Sequence, residues 1–321
     1  MKRIGNNLWD KICSPNNIHK AIIDAVRRTS DSFDMEQWIT EIQEMLVNET
    51  YEFHPLKRMI KYEPKERVID YAITFPDKIL IGCVMNILKP LLIPKFAETT
   101  YSSIKGRGIR QCSDRIKKAI RKYPEAYYLQ TDIRKFYQSI DHDLCKAELE
   151  KYIKDAKCLK FFSKLIDNNS IGIPIGISAG SYIGNLYLTR IDRWIYKELK
   201  PLVYVRYMDD QLMFFNSKEE AHQAYLKLEE KLLEIKLELK KNFRISPVSK
   251  GISMIGYVFY PTHTRLRKNI RENMKKKARK VENLDDKEWK RQMASYHGWC
   301  IHANCKNLMK KTFKEKYKLF L

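Results

Sequence analysis

The sequence predicts an α/β (α+β) protein in which helices are inserted among antiparallel strands. Short apolar runs of strand length occur at 126–132 and on both sides of Tyr207-Met208-Asp209-Asp210, where the spacing is that of a hairpin. Stretches with helical periodicity lie between them, at 141–154, 158–168 and 181–199. This order of elements fits helices among antiparallel strands better than a doubly wound sheet.

Taken in order, residues 17–48 read mostly as helix. Asn17-Ile18-His19-Lys20-Ala21-Ile22-Ile23 starts one run. Trp38, Ile39, Ile42, Met45 and Leu46 recur at helical spacing in a second, behind Ser32 and Asp34 as caps. Over 56–73, charged and apolar residues alternate on either side of Glu63-Pro64-Lys65-Glu66, which reads as a hairpin with basic side chains on one face. A helix follows Pro76, from 77 to 88. The glycine-containing loop Ile104-Lys105-Gly106-Arg107-Gly108-Ile109 opens another, through Lys122. The strand 126–132 ends on Asp132. Residues 217–237 read as an amphipathic helix, 242–260 as two further strands, and 262–321 as a helical, basic module. Three regions result: an N-terminal helical extension (1–50), a central α/β region (51–261) and the basic helical module (262–321).

The chain of 321 residues has room for one large lobed domain or two ordinary ones, and 44% hydrophobic residues can build a sizeable core. Sixty-one Lys and Arg oppose 39 Asp and Glu, a net charge of +22. A surplus of that size suits a polyanion, because each neutralised phosphate releases counterions. Residues 262–321 alone hold 18 Lys and Arg against 6 Asp and Glu. No apolar run reaches the ~18–20 residues of a membrane span, so no membrane partner is expected. The N-terminus lacks the apolar segment of a signal peptide. Seven cysteines at irregular spacing argue against a disulfide scaffold and for a reducing cytoplasm.

The chemistry lies in three aspartates. An Asp-Asp pair alone reads as an exposed turn. Here Asp209 and Asp210 sit between two apolar strand-like runs, and Asp132 ends another. If those strands are neighbours, three carboxylates converge on one sheet edge. That is a site for two divalent metals about 3.5–4 Å apart. Mg2+ is favoured by all-oxygen coordination beside phosphates, with Mn2+ as an alternative. Phosphoryl transfer needs mainly positioning and charge neutralisation, so few other groups are required.

With these residues in place, the chain resembles the reverse transcriptases over roughly Lys57 to Leu308, through Tyr207-Met208-Asp209-Asp210 and the order of the motifs around it. The resemblance implies a right-hand polymerase fold: fingers and palm, with an antiparallel sheet backed by helices, over 51–261, and a small helical thumb over 262–321. It implies RNA-directed DNA synthesis, with Asp132, Asp209 and Asp210 catalytic and Asp132, Ile133, Asp209 and Asp210 as metal-holding positions. Five residues past Asp132, Tyr137 stands where the family has an aromatic gate that excludes a 2′-hydroxyl. Pro64-Lys65-Glu66-Arg67-Val68-Ile69-Asp70 resembles the fingers hairpin that grips the incoming triphosphate through Lys65 and Arg67. Tyr101-Ser102-Ser103-Ile104-Lys105-Gly106-Arg107-Gly108 is similar to a bacterial loop in which Lys105 and Arg107 would hold template. Gly172-Ile173-Pro174-Ile175-Gly176-Ile177-Ser178-Ala179-Gly180-Ser181 matches the palm motif, with Ile175 and Gly176 at the nucleotide. Most reverse transcriptases have Gln where Ile175 stands. Isoleucine there resembles the enzymes of diversity-generating retroelements, although Gly180 and Ser181 replace their Ser-Gln; bacterial lineages linked to phage defence are the other match. Looser base selection is the consequence expected of Ile175. Met254-Ile255-Gly256-Tyr257-Val258-Phe259 resembles the primer grip, with Gly256 at the nucleic acid, and Arg265, Arg267, Lys268 and Lys275 open the basic thumb. Ser295-Tyr296-His297-Gly298-Trp299 resembles the thumb helix.

The implied partners are an RNA template, a DNA (cDNA) product, deoxynucleoside triphosphates (dNTPs), a dedicated structured RNA and an accessory protein, in bacterial cytoplasm. No room is expected after the thumb for a ribonuclease H or endonuclease domain. Two other functions stay open: a catalytically idle polymerase fold that binds RNA, and template-independent or protein-primed DNA synthesis. His297, Cys300, His302 and Cys305 are crowded, but on one helix their spacing could not surround a tetrahedral zinc.

Overall fold

The computed structural model describes residues 3–5, 7–26, 34–61, 67–71 and 74–320. The N-terminal periodicity becomes α1 (Trp9–Ile12), α2 (Pro15–Val26) and α3 (Met35–Val47). Asp34 caps α3 by accepting from the amides of Glu36 and Gln37; Ser32 lies outside the described residues. β1 (Lys57–Lys61) and β2 (Arg67–Tyr71) form the expected antiparallel hairpin, with Lys57 opposite Tyr71 and Lys61 opposite Arg67. α4 (Phe75–Leu92) is longer at both ends than the sequence predicts. Pro76 fits its first turn, where no amide is needed, and the helix continues through Pro90.

Then follow α5 (Ile109–Lys122), β3 (Tyr127–Asp132), α6 (Phe136–Ser139), α7 (His142–Glu150), α8 (Ala156–Asp167) and α9 (Gly180–Trp194), which runs into a π-turn over Ile195–Leu199. β4 (Val203–Tyr207) and β5 (Asp210–Phe215) precede α10 (Lys218–Leu233). The stretch 242–260 holds three strands rather than two: β6 (Arg244–Pro247), β7 (Ile252–Met254) and β8 (Tyr257–Phe259). Pro247 and Gly251, left-handed at φ 86°, end β6 and redirect the chain. A further strand, β9 (Thr264–Leu266), pairs with β8 inside the segment expected to be helical. α11 (Lys268–Lys280), α12 (Asp286–Cys300) and α13 (Lys306–Phe313) complete the order. Because α12 stops at Cys300, His302 and Cys305 do not share a helix with His297, contrary to expectation.

The chain divides into two compact units. The first comprises Met1–Ile104, Asp132–Lys200 and Leu226–Lys241. Its core joins α1 to α8 through the rings of Trp9, Tyr51 and Phe161, with Tyr51 and Phe161 centred 5.2 Å apart. Asp155, buried, accepts from the amides of Leu8 and Trp9 and caps α8 at Cys158. The N-terminal helices are therefore built into this unit. Ala21 of α2 meets Gly82 of α4 so closely that a Cβ on Gly82 would lie 3.2 Å from the Ala21 Cβ.

The second unit comprises Lys105–Thr131, Pro201–Tyr225 and Asn242–Leu321. Its main sheet has the order β4-β5-β3-β6, and its smaller sheet the order β7-β8-β9. The registers pair Val203 with Phe214 in the β4–β5 hairpin and Leu129 with Ile245 between β3 and β6. α5 buries Cys112, Ile116, Ala119 and Ile120. Trp289 of α12 is enclosed by Phe313 and Phe320. All seven cysteines are buried and free. Burial pushes the Cys13 thiol up to about 11 and those of Cys83 and Cys145 to about 12. Among the described residues no helix is long and apolar enough to cross a membrane.

Candidate active site

The β4–β5 register pairs Tyr207 with Asp210, leaving Met208 and Asp209 as a two-residue turn. Met208 adopts φ 58°, a conformation that the turn imposes on a non-glycine residue. Its clamp is Arg206, wholly buried, whose guanidinium donates to the Met208 carbonyl at 3.0 Å. Opposite Arg206 in the ladder stands Gln211, also wholly buried, and its Oε1 accepts from Thr131 Oγ1 of β3 at 3.1 Å. A polar row thus crosses three strands whose other residues, Val203, Val205 and Leu212 among them, are apolar and buried. Buried polar groups of this kind are expensive unless paired, so the row fixes register as well as geometry. The half-buried Asp209 and Asp210 stand at its lip. Beneath them, burial first and the Asp210 charge second raise the Cys112 thiol of α5 to about 12.

β5, which begins at Asp210, is the neighbour of β3, which ends at Asp132. This is the strand adjacency the sequence requires for its carboxylates. Asp132 Oδ2 accepts from Lys240 Nζ at 2.6 Å, and its carbonyl accepts from the Lys240 amide at 2.8 Å. Ile133 bridges to Leu239, and the Arg134 amide donates to the Glu238 carbonyl, so 238–240 runs alongside 132–134. Sequence reading missed Lys240. Its signal is the alternation Leu237-Glu238-Leu239-Lys240 directly after an amphipathic helix.

The residues fit a hard divalent ion. Asp132 Oδ1 is shielded from solvent and has no hydrogen-bond partner. A buried carboxylate oxygen needs a donor or a cation. The Ile133 side chain is wholly buried, so only its carbonyl could contribute. Among the described residues no three His, Cys, Asp or Glu side chains are gathered as a ready-made cage. Carboxylates repel when no cation balances them, and Lys240 supplies that balance for Asp132.

The other positions singled out by sequence fall into groups. Tyr137 lies in α6, and Gly172 (φ 64°) packs on its backbone: a Cβ there would come within 2.2 Å of the Tyr137 carbonyl. The Ile173 amide donates to that same carbonyl at 2.8 Å. The Tyr137 ring lies against Gly184 of α9, 3.3 Å from where a Cβ would be. Ile175 is half-buried and forms a bridge with Ile177 around the exposed Gly176 (φ 121°). Tyr137 and the 172–181 segment therefore meet. Gly180 now has a physical reason: a Cβ would lie 2.9 Å from the Pro174 carbonyl.

Lys65 lies outside the described residues, and Arg67 opens β2. Lys105 is exposed and Arg107 half-buried in a turn-rich loop with Ser103 and Gly106 left-handed. Gly256 and Ile255 both have positive φ and form the turn between β7 and β8, and Trp299 covers Gly256. Arg265 is exposed with its guanidinium 5.6 Å from the Tyr260 ring centre. Arg267 donates to the Ser253 carbonyl at 2.8 Å, which ties it to the small sheet. Lys268 begins α11, where Lys275 pairs with Glu272 at 3.3 Å.

The sheet thus presents paired aspartates on a clamped turn, next to a strand that ends in a third. Residues 61–258 match the reverse transcriptase (RNA-dependent DNA polymerase) family, and the chain belongs to it. Solved structures similar to it include the apo telomerase from Candida tropicalis truncated from its C-terminal domain. That match has TM-score 0.51 at 10% identity and covers 68% of this chain and 55% of that one. The telomerase from Candida albicans in complex with the TWJ fragment of telomeric RNA matches with TM-score 0.52 at 12% identity, over 88% of this chain and 64% of that one. The chain therefore spans 55% and 64% of the lengths of those two proteins. The likeness shows the right-hand polymerase fold. Comparison with curated proteins finds no match.

Proposed function

We propose that this protein is an RNA-directed DNA polymerase that extends a primer by nucleotidyl transfer. Asp132, Asp209 and Asp210 would hold the divalent ions, with the Ile133 carbonyl beside them. The observation that carries the reading is the adjacency of β3 and β5, locked by the Thr131–Gln211 hydrogen bond, at the end where the clamped Met208-Asp209 turn stands. Bound Mg2+ would lower the pKa of the primer hydroxyl and neutralise the triphosphate and departing pyrophosphate. The protein's own part is positional. Arg206 fixes the turn, and Lys240 orients the Asp132 carboxylate. Tyr137, held between Gly172 and Gly184, would exclude a 2′-hydroxyl, and Ile175 would face the base pair without offering a hydrogen bond. Lys65 and Arg67 would take the triphosphate, Arg by paired hydrogen bonds and Lys as a point charge. Lys105, Arg107 and the basic α11 would hold template and product through their backbones.

In this reading the apolar Ile175 loosens base selection, a dedicated structured RNA supplies the template, and an accessory protein completes the system. The setting would be a diversity-generating retroelement or a phage-defence system in bacterial cytoplasm.

Primer extension on an RNA template with all four deoxynucleotides and Mg2+ tests the reading. Templated DNA from the wild type, lost in Asp209→Ala/Asp210→Ala, supports it. DNA made equally well without template would replace it with template-independent synthesis. No product from folded protein that still binds RNA would replace it with an idle polymerase fold.

A further inference from the structure

We infer that the second unit carries a docking site for a nucleic-acid backbone in a polar cleft formed by α5, the β8–β9 turn and the segment after α12. The cleft has a volume of about 420 Å³, and none of its lining residues is among those assigned above to nucleotide addition or to the thumb contact. Its floor is one face of α5, carrying Arg110, Asp114, Lys117 and Arg121. These positions follow helical spacing and share a side of the helix.

Three cations stand against one carboxylate there. Among the described residues none of these three cations is in an ion pair, and the Lys117 ammonium donates to the neutral His302 carbonyl at 3.1 Å. The cleft therefore keeps a net positive charge in a chain that has charge to spare. Its walls are built structure. The Tyr260 amide closes the β8–β9 turn on the His263 carbonyl at 2.8 Å. Asn304 grips Thr264 twice, its amide donating to the Thr264 carbonyl and its Oδ1 accepting from the Thr264 amide, each at 2.8 Å. The His263 ring stacks on Tyr260 with centres 4.7 Å apart, and its Nε2 is shielded with no hydrogen-bond partner. A buried polar atom of that kind calls for a partner.

The spacing of the cations identifies the ligand. Arg110 and Arg121 are separated by about 16 Å along the helix at 1.5 Å per residue, with Lys117 between them. A mononucleotide or inorganic phosphate would be held by converging donors. A row of separated charges suits successive phosphates of one strand. The cleft would anchor the nucleic acid away from the segment being copied. The inference shares the nucleic-acid premise of the proposed function and does not require catalysis.

The test is fluorescence anisotropy of labelled RNA and DNA of equal length, titrated with the full chain over a range of salt. Wild type is compared with Arg110→Gln/Lys117→Gln/Arg121→Gln, each also in the Asp209→Ala/Asp210→Ala background. Loss of the cleft contacts lowers the slope of log affinity against log salt by about two and weakens binding about tenfold or more. A greater loss on RNA assigns the cleft to the template, a greater loss on DNA to the product, and an equal loss to either backbone. Should the variant fail to fold, acylation of Lys117 in the wild type decides the matter instead: bound polymer protects it. An unchanged slope in the folded variant, or protection of Lys117 by ATP as complete as by polymer, overturns the inference. A lowered slope without primer extension in the wild type would keep this inference and remove the polymerase reading.

Discussion

Lys240 and Asp132 are joined twice, by an ion pair of 2.6 Å between side chains and by a main-chain hydrogen bond of 2.8 Å. The backbone bond fixes the approach, so the ammonium is held at the carboxylate rather than arriving by chance. Both side chains are about a third exposed, 38% and 33%, so the pair itself contributes only about 0–1 kcal/mol to stability. Its effect should show in metal binding. Lys240→Ala removes a cation that competes for Oδ2, so millimolar Mg2+ should raise the melting temperature of the variant more than that of the wild type. Asp132→Asn should abolish the Mg2+ effect in both backgrounds. Equal Mg2+ shifts in wild type and Lys240→Ala would dissociate Lys240 from the metal site.

The gate assignment has a geometric consequence beyond Tyr137. Tyr137→Ala should admit ribonucleotides, raising their use relative to deoxynucleotides about tenfold or more. Gly184→Val should act on the same ratio without touching substrate, because a Cβ at Gly184 already lies 3.3 Å from the Tyr137 ring and 3.1 Å from the Phe136 ring. Sugar selection that survives both changes, in competition assays with matched deoxy and ribo substrates, would make Tyr137 a packing residue.

Much of this was legible in the sequence, and the limits are physical. Short apolar runs located β3, β4 and β5, and helical periodicity located α2 to α5 and α7 to α10, while the four-residue helices α1 and α6 are too short to carry a period. Asp209 and Asp210 were visible since two adjacent carboxylates between apolar strands need a reason. The short strands β7 to β9 were harder: three residues carry too little periodicity, and Thr264–Leu266 sits in a run of arginines that reads as solvated helix. Arg206, Gln211 and Lys240 were missed for another reason. Their roles depend on partners across a ladder or about a hundred residues away, and a lone polar residue in a strand carries no mark of that. Gly180 looked like an unexplained departure until the Pro174 carbonyl was placed beside it.

Ile175 tests the fidelity reading directly. Its loop is held from both ends, by Gly172 on the Tyr137 backbone and by Gly180 under the Pro174 carbonyl, so a side-chain change should be felt by the substrate rather than absorbed by the loop. Ile175→Gln restores a hydrogen-bonding side chain and should lower misincorporation severalfold, read by sequencing cDNA copied from a defined RNA. Gly180→Ala should disturb the loop and reduce turnover instead. An error rate unmoved by Ile175→Gln would leave Ile175 as packing alone.

Asp141 gives a pH dependence of defined sign. It caps α7, just past Tyr137, and the Leu144 amide first and Lys236 second hold its carboxyl below the ordinary 3.8. A depressed folded value means that the charge stabilises the fold above the unfolded value and that this contribution is lost as pH falls through the folded one. Asp141→Asn should therefore be less stable than wild type near neutrality, and the difference should shrink below pH 3.8. Chemical denaturation at several pH values measures it, and a gap that persists into acid would assign the effect to the cap hydrogen bond alone.

Gly256 is where backbone and packing demands coincide. The β7–β8 turn requires positive φ at both Ile255 and Gly256, the geometry of a tight two-residue hairpin. At Gly256 (φ 87°) a Cβ would also lie 2.4 Å from the Trp299 ring, and Trp299 is held in place because its carbonyl accepts from the Tyr257 hydroxyl at 3.0 Å. Gly256→Ala therefore meets two separate penalties, about 1–2 kcal/mol for the left-handed backbone and about 1–3 kcal/mol for overpacking. Only the second depends on the indole. Gly256→Ala/Trp299→Leu should thus recover part of the stability lost by Gly256→Ala, relative to Trp299→Leu alone, in a double-mutant cycle read by denaturation. Strict additivity would mean that the ring and the turn do not meet. If the turn also grips a primer, Gly256→Ala should weaken binding of a primer–template hybrid more than binding of a single RNA strand, which separates its structural role from its role at the nucleic acid.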